Sequence, residues 1–129
     1  MKRGKLAKST GCNSETIRYY ETTGLLPEPP RTKAGHRVYD DQHVRRLSFI
    51  LQARDLGFTI EEIRELLSLS DDKTFTCAQV QDITMRHLND VQNRIRNLRR
   101  IESVLKDMIS QCKGGTKPEC PILESLSES

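Results

Sequence analysis

The 129-residue sequence predicts a mainly α-helical protein: a small domain of short helices, then one long helix, then a cysteine-bearing loop. Three observations predict it. Apolar residues in the first 70 positions recur at helical spacing between Gly and Pro punctuation. From about Thr76 to Gln111 neither Gly nor Pro interrupts the chain. Cys77, Cys112 and Cys120 bracket that run. The expected limits are 1–70 for the small domain, 75–111 for the long helix, and 112–129 for the loop and a short C-terminal helix.

Leu6-Ala7-Lys8-Ser9-Thr10 reads as a short helix stopped by Gly11, and Asn13 or Ser14 caps a second one that carries Ile17-Arg18-Tyr19-Tyr20. Two short helices joined by a tight Gly-containing turn have the form of a helix-turn-helix, whose second helix enters the DNA major groove. Thr16, Arg18, Tyr19 and Tyr20 then belong to the presented helix, with Ile17 directed to the core. Gly24 ends that helix, and Pro27, Pro29 and Pro30 prevent its continuation. The segment 31–40 has a turn glycine, Gly35, between basic arms with alternating apolar residues, so a β-hairpin is expected. Arg31, Lys33, His36 and Arg37 on such a wing would grip phosphates; alone, the same residues could equally be a solvated turn.

Val44, Leu47, Ile50, Leu51 and Arg54 give a third helix near 41–55, closed by Gly57. Thr59-Ile60-Glu61-Glu62 opens a fourth with a capping-box pattern and turns Ile60, Ile63, Leu66 and Leu67 inward. Residues 70–74 form a loop. In the long run, Val80, Leu88, Val91, Ile95, Leu98, Ile101, Leu105, Met108 and Ile109 recur at alternating three- and four-residue steps, and Arg86, Arg94, Arg96, Arg99, Arg100, Glu102 and Lys106 occupy the other face. A two-layer domain cannot cover so long an arm, so its expected purpose is dimerisation.

Charge divides the chain. Residues 1–56 hold 11 Lys/Arg against 6 Asp/Glu, net +5, whereas residues 57–129 hold 10 against 12, net −2. A basic front half points to a polyanionic partner. Met1 to Leu6 is basic but no apolar run follows it, and no stretch approaches a membrane span, so a soluble, cytoplasmic protein is expected. In a reducing compartment, cysteines serve more often as thiols or metal ligands than as bridges.

The 35 positions between Cys77 and Cys112 correspond to roughly 50 Å of helix, so the two sulfurs cannot share a ligand within one chain. Antiparallel pairing brings Cys77 of one chain beside Cys112 and Cys120 of the other. Gly114, Gly115 and Pro118 let the chain fold back between the two loop cysteines, and residues 121–126 suit a short helix packed over them. Thiolates select soft or borderline ions: Hg(II), Cd(II), Pb(II), Zn(II) or Cu(I) rather than Mg or Ca. The alternative is that each cysteine is a small buried hydrophobe, the role expected for the isolated Cys12. His36, His43 and His87 are expected on the wing, on the surface and at a helix interface.

Gly11 to Leu26, with Glu15-Thr16-Ile17-Arg18-Tyr19-Tyr20-Glu21 and Gly24-Leu25-Leu26 within it, resembles the MerR family of transcriptional regulators. So do Gly35-His36-Arg37-Val38-Tyr39 and Arg54-Asp55-Leu56-Gly57-Phe58-Thr59-Ile60-Glu61-Glu62-Ile63. The resemblance implies a winged helix-turn-helix DNA-binding domain, a long antiparallel coiled-coil dimerisation helix and a C-terminal metal-binding loop. It further implies a homodimer on promoter double-stranded DNA that distorts an overlong spacer for RNA polymerase when metal binds. Arg18, Tyr20, Arg37 and Tyr39 would contact DNA, mostly at phosphates.

Monovalent-ion sensors of the family have serine where Cys77 stands, so the cysteine resembles the divalent class. Zinc sensors usually add a second cysteine beside the first loop position and a loop histidine, whereas Lys113 follows Cys112 here and the loop has no histidine. Cys77, Cys112 and Cys120 then form a thiolate site for Hg(II), with Pb(II) or Cd(II) next. Arg3 departs from the family's usual apolar residue, so it is expected to snorkel outward and loosen the N-terminus. A metal carrier would leave the helix-turn-helix without a purpose. An enzyme such as a thiol oxidoreductase would need a close Cys-x-x-Cys or Cys/His pair that is missing. A redox-sensing regulator is the remaining rival within the family; drug sensors append a larger ligand domain than the 17 residues after Cys112 provide.

Overall fold

Glycines and side-chain caps set the helix limits in the computed structural model of the chain, which describes residues 1–112, 114–115 and 119–127. The order is α1 (Arg3–Thr10), α2 (Ser14–Thr22), α3 (Asp41–Asp55), α4 (Ile60–Asp71), α5 (Cys77–Gln111) and α6 (Pro121–Ser127). Met1–Ile83 and Thr84–Ser129 form two units.

In the first unit, α1 begins three residues before the sequence reading placed it and ends at Gly11, whose φ of 73° is the left-handed conformation a helix stop requires. The Asn13 side chain accepts from the Glu15 N–H and starts α2. Reciprocal bonds between Thr59 and Glu62 open α4 as the capping pattern predicts. α3 begins with a box that the sequence concealed, in which Asp40 and His43 cap one another. Leu6, Ile17, Leu25, Leu26, Tyr39, Leu47, Ile50 and Ile63 are the largest fully buried side chains and form one core where α1 to α4 converge. Arg46 joins three parts of the domain: its Nε donates to the Leu25 carbonyl at 2.7 Å and its Nη1 to Asp71 at 3.0 Å. Arg64 donates to the Thr23 carbonyl at 2.8 Å, at the open end of α2.

The segment 31–40 is not the expected two-stranded hairpin. Arg31 and Arg37 make one isolated antiparallel bridge around a turn in which Gly35 N–H donates to Thr32 O and Thr32 N–H to His36 O. The ladder stops there for a physical reason. The Val38 N–H donates to the Pro30 carbonyl at 2.8 Å, but Pro30 has no N–H to return, while the Tyr39 N–H, on the outer edge of its arm, donates to the Met1 carbonyl at 2.7 Å. His43, expected on the surface, is buried: its Nδ1 lies 2.9 Å from Asp40 Oδ1 and its ring meets Tyr39 edge-on.

α5 is one continuous helix of 35 residues, about 52 Å at the α-helical rise. Thr76 and Gln79 exchange side-chain-to-backbone bonds at its start, a second capping box that the sequence reading did not single out. Leu88, Ile95, Leu98, Ile101, Leu105 and Ile109 are 39% to 67% exposed, so the apolar stripe is real and uncovered in the single chain. His87 is buried. No helix among the described residues is long and apolar enough to cross a membrane.

Candidate nucleic-acid interface and thiol ligands

α2 carries the sequence-selected groups on two different faces. Arg18 and Tyr19 are exposed, Thr16 is half-buried, and Ile17 is in the core. Tyr20 is only 6% exposed; burial pushes its phenol pKa up, opposed by the positive charge of Arg54. Tyr20, expected among the DNA contacts, thus lies in the packed interior of the domain. Tyr39, expected there as well, is also buried. It is 1% exposed, its hydroxyl donates to Glu21 Oε1 at 2.5 Å, and it accepts from Arg3 Nε at 3.1 Å. Burial and the bond to Glu21 raise the Tyr39 pKa, so the phenol keeps the proton it donates.

Arg31, Lys33 and His36 are exposed on the wing and Arg37 is half-buried beside α2. Lys2, Arg3, Arg18, Arg31, His36 and Arg37 surround a cavity of about 380 Å³ together with Gly35. So dense a set of cations around one concave surface is suited to a phosphodiester oxygen. Sequence reasoning missed Lys2, Arg3 and Glu21. Arg3 does not snorkel free: its Nη2 donates to Glu21 Oε2 at 3.2 Å, and the N-terminal ammonium of Met1 donates to the Tyr39 carbonyl. Burial would lower the Arg3 pKa, but the bond to Tyr39 and the negative charge of Glu21 outweigh it and raise it. The N-terminus is thus tied to the wing rather than loosened by its arginine.

The thiols fall into two classes. Cys12 is buried in the turn between α1 and α2, as its isolation suggests; burial pushes its pKa up and its thiol points to the Asn13 carbonyl. Cys77 is the exposed first residue of α5, Cys112 is exposed directly after its last residue, and Cys120 is half-buried directly before α6. All are free thiols. Among the described residues, no three or more His, Cys, Asp or Glu side chains gather into a metal-holding group. Lys113 and the Thr116-Lys117-Pro118 part of the expected turn lie outside the described residues. α6 forms as expected, with Leu123 and Leu126 exposed.

Residues 1–70 match the family model described as MerR HTH family regulatory protein, and residues 44–108 match that for MerR, DNA binding. The chain belongs to the MerR family. This MerR-family chain is 45% identical over 124 residues to the mercuric resistance operon regulatory protein of Bacillus cereus, covering 95% of this chain and 94% of that one. Its fold is similar to that of PbrR691 from Ralstonia metallidurans CH34 in complex with lead(II), with a TM-score of 0.86, 39% identity, and coverage of 98% and 99%. It is also similar to MerR from Bacillus megaterium MB1 in complex with mercury(II), with a TM-score of 0.74, 39% identity and 98% coverage of both chains. MerR-family proteins are DNA-binding transcription regulators, not enzymes, and the helical domain with its exposed Arg18 and cationic wing agrees with that activity.

Proposed function

We propose that this MerR-family regulator binds promoter DNA in the cytoplasm as an antiparallel homodimer and activates transcription when Hg(II) binds thiolates contributed by both chains. The observation that carries the reading is the placement of Cys77 and Cys112 at opposite ends of one unbroken helix whose apolar stripe is uncovered. Two such helices paired head to tail set Cys77 of one protomer beside Cys112 and Cys120 of the partner subunit. Three soft donors then suit trigonal Hg(II). The 45% identity to a mercuric resistance regulator favours the same ion. Pb(II) is the second reading, favoured by the fold similarity to a regulator in complex with lead(II).

Binding is the only chemistry required. An ion that favours one dimer shape over another shifts the population by its differential affinity, and the DNA held by both domains is distorted with it for RNA polymerase. Because the ligands must be thiolates, metal binding releases protons and weakens as pH falls.

The test is a titration of the reduced protein with Hg(II), Pb(II), Cd(II), Zn(II) and Cu(I), followed by sulfur-to-metal charge-transfer absorption and by transcription from the bound promoter. Cys77→Ser, Cys112→Ser and Cys120→Ser are each expected to abolish induction and leave promoter affinity within about twofold, since none lies on the DNA-binding domain's cationic face. Normal induction of Cys77→Ser by a divalent ion would sink the cross-dimer site. Induction by oxidant without metal would instead establish a redox regulator.

A further inference from the structure

Glu21 is the one carboxylate among the described residues that pairs with cations of the cleft, and its side chain is only 7% exposed. It sits on α2, the helix expected to enter the major groove. One oxygen, Oε2, accepts from Arg3 at 3.2 Å and from Arg37 at 3.3 Å; the other, Oε1, accepts from Tyr39. A single side chain therefore connects α1, the presented helix and the wing. Each guanidinium has five N–H donors. Glu21 engages only Nη2 of Arg3 and Nη1 of Arg37, and both arginines also line the cavity beside Arg18.

A negative charge at a DNA-facing surface opposes binding to a polyanion unless it performs another task. Left without it, Arg3 and Arg37 would be long, rotamer-rich cations free to meet phosphates in many registers, which raises sequence-independent attraction without fixing position. Held by it, the two forks are aimed from a rigid base, and the ordering cost is met on folding rather than on binding.

We propose that Glu21 is a positioning residue for DNA recognition, holding Arg3 and Arg37 as a preorganised pair of phosphate contacts, and that Arg3 thereby joins the DNA interface. This rests on the DNA-binding reading above. Glu21 acts through the arginines, and its effect is on discrimination rather than on affinity alone. Arg3 supplies a phosphate contact at the edge of the cleft formed by the N-terminal helix.

The test uses the full chain and a duplex selected by the wild-type protein from a random pool, alongside a scrambled duplex of equal length, each titrated over a range of salt concentrations. Glu21→Gln keeps the shape and an acceptor while removing the charge. It is expected to raise affinity for the scrambled duplex by about threefold and to narrow the selected-to-scrambled ratio by about tenfold, because freed cations add sequence-independent attraction. Arg3→Gln is expected to reduce the magnitude of the salt slope on the selected duplex by about one, the signature of a lost phosphate contact. Thermal unfolding of each variant separates a folding defect from a positioning one. An Arg3→Gln slope equal to wild type would remove Arg3 from the interface. Equal loss of affinity for both duplexes by Glu21→Gln would reduce Glu21 to a purely structural role, and if that variant fails to fold, the Arg3→Gln slope decides alone. Failure of the wild-type chain to select any duplex would refute the DNA-binding reading itself.

Discussion

Asp40 shows how a side chain's role can escape a reading by local pattern. It ends the wing with its side chain exposed and caps α3, accepting from the His43 backbone while its carboxylate lies beside the His43 ring. Side-chain and backbone hydrogen bonding from His43 holds its carboxyl below the usual range. A depressed carboxyl contributes stability above its ordinary pKa and loses it as pH falls through the folded-state value. Wild-type protein is therefore expected to lose more unfolding free energy than Asp40→Asn between about pH 6 and about pH 3, since Asn keeps the cap but does not titrate. Urea unfolding at the two pH values measures this, and parallel losses would refute it. His43, Arg3, Glu21 and Tyr39 share the same lesson. Arg3 and Tyr39 are 36 positions apart and Arg3 and Glu21 are 18 apart, so no local pattern could pair them. Arg18, Tyr19 and Cys77 were legible because helical register or a helix start alone sets their exposure.

At the scale of elements, punctuation proved more informative than alternation. Gly11, Asn13, Gly57 and Thr59-x-x-Glu62 mark helix limits through bonds between near neighbours, and α1 to α4 fall within a few residues of where those marks place them. Thr59→Ala removes the Oγ1 acceptor of the Glu62 N–H and is expected to cost about 1 kcal/mol, read from chemical denaturation at unchanged m-value. A change under a few tenths would show that the box is redundant with the packing of Ile63 and Leu67. The wing is the counter-example. Alternating residues around Gly35 suggested two strands, but alternation does not reveal whether both arms have donors to offer. Pro29 and Pro30 have none, so the wing depends on one bridge, its turn and the Glu21 network.

For the whole molecule, the long helix was the most legible part and the thiol site the least. The absence of Gly and Pro and the three-four stepping locate α5 almost to the residue. Cys77, Cys112 and Cys120 form no common group among the described residues, since the 35 residues of α5 separate the first from the second. Leu98→Glu is expected to convert the dimer to monomer in sedimentation velocity at micromolar concentration, since it sets like charges in an apolar seam, and to abolish metal response with it. A variant that stays dimeric would show that another surface joins the chains. The uncovered stripe also bears on the early life of each molecule. The basic domain and the first turns of α5 leave the ribosome first, and the rest of α5 follows with a row of leucines and isoleucines that the described residues leave exposed. Until a second copy arrives, that row is bait for chaperones and proteases, so cellular abundance would rise more steeply than synthesis rate: molecules made close together in time and space survive, and solitary ones are cleared.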